Sequence, residues 1–96
     1  MRKSNISSLG DAIKEFIHEN KLEEKIFEVR VVEDWKKIMG HNVAIYTQNI
    51  NLKNGKLTVY LKSSVLRNEL QMSKQKVIAL INSYFRQSVV KDIIFK

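Results

Sequence analysis

Asn49 to Lys62 reads NINLKNGKLTVYLK, and its alternation of apolar and polar residues marks two strands joined by a tight turn. Asn54-Gly55 is the strongest short-range hairpin signal, because a type I′ turn needs positive φ at both central positions. A two-residue turn sets Lys53 against Lys56, Leu52 against Leu57 and Ile50 against Val59. In that register Ile50, Leu52, Leu57, Val59 and Leu61 share one face. The other face carries Asn49, Asn51, Lys53, Lys56, Thr58, Tyr60 and Lys62, with no acid among them. A sheet with one apolar face needs helices on that side only.

Upstream of the hairpin the spacing becomes helical. Ser8 followed by Asp11 reads as a capped helix start, behind which Leu9, Ala12, Ile13, Phe16 and Ile17 lie on one helical face. ENKLEE interrupts the pattern, and a second helix begins near Leu22. Ile26, Val29, Val32, Trp35, Ile38 and Met39 read as its apolar stripe, with Gly40 placed to stop or bend it. HNVAIYT has the apolar content for one further helical turn. Downstream, Ser63 or Ser64 caps a short helix, SVLRNELQM, that buries Val65, Leu66 and Leu70. Ser73 caps a longer one, with Val77, Ile78, Ile81, Tyr84 and Phe85 as its core stripe. SVVKDIIFK, rich in β-branched residues, closes the chain as a strand. The order α-α-β-β-α-α-β predicts a small α+β domain over residues 9–96, its helices on one face of a three-stranded sheet. Residues 1–8 read as a flexible N-terminal segment.

The totals restrict function more by exclusion than by assignment. With 96 residues, 44% hydrophobic and 28% charged, the chain has the make-up of one globular domain with a thin core. It has no cysteine, so disulfides, thiolate metal sites and a cysteine nucleophile are excluded. No apolar run approaches the ~20 residues of a membrane span, and MRKSNISSLGD lacks the apolar segment of a signal peptide. A cytoplasmic protein without membrane contact is the expectation. His18 and His41 stand far apart with no neighbouring ligand pattern, and the adjacent Glu33 and Asp34 point apart on a helix. There is no glycine-rich phosphate loop. No enzyme, metal, cofactor or small-molecule substrate is expected. Trp35 falls on the apolar stripe and is assigned to the core.

The formal net charge of +7 is one-sided. Residues 1–48 hold eight Lys or Arg and eight Asp or Glu, whereas residues 49–96 hold nine basic residues against Glu69 and Asp92. A basic half of this kind attracts a polyanion or an acidic partner surface. Its helix starts are also unusual. Helix N-termini carry partial positive charge and favour acids. Asp11, and then Glu23 and Glu24, obey this rule in the first half. Arg67 breaks it in the third helix, and Lys74 and Lys76 break it in the fourth. Backbone N–H groups with Ser73 and these cations suit a phosphate; equally, the lysines can extend into water at small cost. Lys62, Arg67, Lys74, Lys76, Lys53 and Lys56 are therefore the candidate phosphate contacts. Tyr60, turned outward among lysines, is the candidate for stacking on a base.

VVEDWKKIMGHNVAIYT, NGKLTVYLKSSVLRNELQMSKQKVIALIN and VVKDIIFK, in that order, resemble the domain of DciA-like proteins over about residues 9–96. That bacterial family is linked to loading or operating the replicative helicase DnaB. The resemblance implies a KH-like fold, and the strand-strand-helix-helix-strand order agrees with its type II arrangement. It also implies a replication accessory protein that contacts the helicase, and with the basic half it leaves single-stranded DNA or RNA open as a further partner. Nucleic-acid-binding KH domains clamp the backbone with a GxxG loop between two core helices. Here that position reads MSKQ, without glycine. Many relatives carry a further terminal segment implicated in helicase contact, whereas this chain ends at its last expected strand. Two other readings compete: a protein-interaction module without nucleic-acid binding, and an RNA-binding accessory protein.

Overall fold

The structure is a computed structural model describing residues 3–19 and 22–96. Strands β1 (Thr47–Lys53) and β2 (Lys56–Leu61) form the expected hairpin, with Asn54 at φ 53° and Gly55 at φ 79°. Leu52 pairs with Leu57 and Ile50 with Val59, as the alternation requires, and the register slips at a bulge between Thr47 and Asn49. Strand β3 (Asp92–Phe95) lies parallel to β2, which makes β2 the central strand of the order β1-β2-β3. A parallel neighbour needs a long crossover. Helices α5 (Ser64–Met72) and α6 (Lys74–Phe85) supply it.

One sheet face forms the core. Ile50, Leu52, Leu57, Val59, Leu61, Ile93 and Phe95 are buried on it against Val31, Trp35, Ile38, Val77 and Ile81 from the helices. The fold is thus α+β, and its helix and strand order broadly matches the KH-like arrangement. Upstream of the sheet run α1 (Lys3–Glu19), α2 (Glu23–Glu33) and the short α3 (Trp35–Met39) and α4 (His41–Ile45). Gly40, at φ 92°, stops α3 and separates it from α4, the further turn expected from HNVAIYT. Trp35 is core: its Nε1–H donates to Thr47 Oγ1 at 3.0 Å, and that hydroxyl donates to Val43 O at 2.7 Å. The chain of bonds ties α3, α4 and β1 together.

Several helical details differ from expectation. Ser8 and Asp11 do not start a helix, because α1 already runs from Lys3 and carries no acid in its first turn. The apolar residues Leu9, Ile13 and Phe16 of α1 remain exposed, so α1 is not one of the helices that cover the sheet. Along α2 and α3, Ile26, Val29 and Val32 face solvent, and the inward set is Phe27, Val31, Trp35 and Ile38. The reason is geometric: successive steps of three residues drift about 60° each around a helix, whereas steps of four and three together hold one face. In α5, Ser63 is the cap, its Oγ accepting the Leu66 N–H at 3.2 Å. Leu66 and Leu70 pack on the core, but Val65 is 68% exposed, one position off that stripe. Ser73 does not cap α6 with its side chain; at φ −106° and ψ 22° it lacks the extended backbone of a cap. Instead its N–H closes α5 on Glu69 O and Leu70 O, and its carbonyl accepts from Val77 to open α6. Tyr84 is likewise half out of the core, its hydroxyl donating to Asp34 Oδ2 at 3.0 Å.

Candidate nucleic-acid interface

The sheet face opposite the core is uncovered, and strand pairing arranges it in three rows. Lys53, Lys56 and Asp92 form the row beside the turn, and Asn51, Thr58 and Ile94 form the middle row. Asn49 pairs with Tyr60, beyond which Lys96 donates its backbone N–H to Val59 O at 2.7 Å. The Lys96 ammonium then lies 5.9 Å from the centre of the Tyr60 ring. Tyr60 is 36% exposed, turned outward as the alternation requires. With Gln48, Asn49 and Asn51 it borders a shallow recess near the β1 bulge.

Asp92 is the one acid in those rows, and lysines hold it. Lys74 Nζ lies 3.0 Å from its Oδ1, which joins the first turn of α6 to the start of β3. Asp92 has its pKa lowered, first by the hydrogen bond from Lys74 and next by the Ile93 N–H; desolvation opposes this, and the charges of Lys74 and Lys56 add to it. Lys74 thus faces an acid after all, one supplied by another element. Beside this pair, the backbone N–H of Lys91 donates to Gly55 O at 2.7 Å. The Lys91 stem packs over Gly55, 3.2 Å from the place a β-carbon would occupy. Glu24, in the first turn of α2, accepts the Asn54 N–H at 3.0 Å from the far side of the turn.

The candidate residues therefore divide into groups. Lys56 and Lys74 flank Asp92 at the turn end of the sheet, and Lys53 stands on the other side of Lys56 in the same row. Lys62 is exposed at the opposite end, just past Tyr60, where its N–H donates to Tyr46 O at 2.8 Å. Arg67 is half-buried in α5, and its Nε has no hydrogen-bond partner. Lys76 is exposed in the first turn of α6. The α5–α6 junction is the single residue Ser73, with no open loop of the kind that clamps a backbone.

Lys96 and Ile94 escaped sequence reasoning because nothing local says which strand β3 joins. Their signal was present: burying Ile93 and Phe95 by alternation must turn Ile94 and Lys96 to the open face. Asn82 was missed for the same reason. Its Oδ1 accepts the N–H groups of Val89 and Val90 at 2.9 and 2.8 Å, and its Nδ2 donates to Val90 O at 2.9 Å. It thereby sets the loop that feeds β3. His18 pairs with Glu23 at 3.2 Å on the surface. Among the described residues no three His, Asp or Glu side chains group to hold a metal ion. Among them, too, no helix is long and apolar enough to cross a membrane.

A family model described as "Dna[CI] antecedent, DciA" matches residues 8–95. No curated protein and no solved structure gave a significant match. With nearly its whole length matched, and a helix and strand order that agrees with the KH-like arrangement, this chain belongs to the DciA family, a family of replication accessory proteins linked to loading of the helicase DnaB.

Proposed function

We propose that this protein is a non-enzymatic accessory factor of DNA replication that contacts a DnaB-type helicase and binds nucleic-acid phosphates through residues 49–96. Family membership over residues 8–95 carries the helicase half of this reading. The electrostatic half rests on nine basic residues against two acids in that segment, one of which, Asp92, is already paired with Lys74. Lys53, Lys56 and Lys62 are exposed and are the phosphate contacts of the proposal. Arg67, Lys74 and Lys76 are weaker candidates: Arg67 is half-buried, Lys74 is engaged by Asp92, and Lys76 lies on α6 outside the rows of the sheet.

Two measurements test the two halves. A fluorescent single-stranded oligonucleotide titrated with the protein over a salt series reads the phosphate contacts. Neutralising about four phosphates of a single strand lowers affinity roughly 50-fold between about 50 and 200 mM salt. Reversing Lys53, Lys56 and Lys62 to glutamate flattens that dependence, and a triple variant that binds like the parent overturns the choice of contacts. Capture of the helicase by the tagged protein after nuclease treatment reads the protein contact.

A second reading, a protein-interaction module without nucleic-acid binding, is favoured by the missing glycines at the α5–α6 junction and by the Lys74–Asp92 pair. It predicts nuclease-resistant helicase capture beside no oligonucleotide binding at low salt.

A further inference from the structure

We infer that a single strand of DNA, the ligand that the replication reading above supplies, lies across the open sheet face with a base stacked on Tyr60, and not at the α5–α6 junction. This rests on the phosphate-binding reading above and names its surface. At the junction, Lys74 is engaged by Asp92 at 3.0 Å and Ser73 leaves no loop whose amides could hold a phosphate.

The sheet face has what a single strand needs. Its only acid in the three rows is that same Asp92, flanked by Lys56 and Lys74, so the negative charge within those rows is countered. Lysines stand at both ends, Lys53 and Lys56 beside the turn, Lys62 and Lys96 at the other. Lys56 and Tyr60 lie four residues apart on β2, a separation of about 13 Å. A strand laid along β2 can meet a lysine with its phosphates at each end and an aromatic ring between them. The Tyr60 ring already attracts the Lys96 cation at 5.9 Å. That cation can turn to a neighbouring phosphate while the ring takes a base. Asn49 and Asn51 bring amides to the recess beside Tyr60, and such side chains donate to and accept from base edges. A duplex keeps its bases stacked inside and offers no ring for Tyr60, so the face selects unpaired bases.

The test uses the full chain and a labelled thymidine oligonucleotide of about 12 nucleotides, its duplex, and the RNA equivalent. Tyr60→Ala is expected to weaken single-strand binding about tenfold with the salt dependence unchanged, because stacking releases no counterions. Tyr60→Phe should bind within about twofold of the parent, since it keeps the ring. Asn51→Glu, at an exposed edge-strand position that leaves the core intact, should weaken binding by placing an acid on the face. Salt-dependent binding by the parent that Tyr60→Ala and Asn51→Glu both leave unchanged overturns the sheet-face assignment while sparing the phosphate-binding reading. Absence of any binding by the parent overturns both. A duplex bound as tightly as the single strand, or RNA bound tenfold better than DNA, overturns the ligand assignment.

Discussion

Lys74 stands in the first turn of α6, where a helix is least hospitable to a cation, and its position is explained by a carboxylate 18 residues further along the chain. The pairing has a consequence in acid. Asp92 has a pKa below its ordinary value of 3.8, chiefly because Lys74 donates to it. A lowered native pKa adds stability that is complete above the unfolded value and lost as pH falls through the native one. In Lys74→Met, the Asp92 titration followed by NMR is expected to move up toward 3.8, and the acid-side loss of stability should shrink. An unmoved titration would remove Lys74 as the cause. Little of this was legible in the sequence. It placed a cation in that turn, but an ion pair between separate elements depends on how β3 docks. Tyr60 was the opposite case: strand alternation alone turned it outward.

Among the elements, the hairpin was the most legible, because its register follows from one dipeptide and a period of two. The helices were less so. In α2, apolar residues surround the axis, and Ile26, Val29 and Val32 competed with the true inward set of Phe27 and Val31 until packing chose between them. The loop from α6 to β3 was not legible at all, since Asn82 reads as an ordinary polar helix residue. It nevertheless holds three backbone groups of Val89 and Val90, both buried. Asn82→Ala strands the two groups of Val90, whereas the Val89 N–H keeps Gln87 O at 2.8 Å. Each unmet buried group costs about 1–3 kcal/mol, so a loss of about 3 kcal/mol is expected in urea unfolding. A change under about 1 kcal/mol would mean that water replaces the amide.

Across the whole molecule, charge asymmetry was plain from residue counts, but its arrangement was not. Cations two residues apart, such as Lys74 and Lys76, have different fates, while Lys56 and Lys74, far apart in sequence, meet beside one acid. Only the order of strands in the sheet produces that convergence. The same order bears on how the chain folds. β1 and β2 meet through a two-residue turn, a closure that takes about 1–10 μs in hairpins. β3 can join β2 only after residues 62–91 have been looped into α5 and α6, and that entropy must be met before its contacts reward it. The hairpin and the helices packed on it are therefore expected to form the folding nucleus, with β3 docking after the barrier. In stopped-flow experiments, Leu52→Ala should mainly slow folding, whereas Ile93→Ala, at an equally buried site on β3, should mainly speed unfolding. If so, the acid that neutralises Lys74 and the lysine that shades Tyr60 both arrive with the last strand. The open face would then acquire its final charge pattern only as folding is completed.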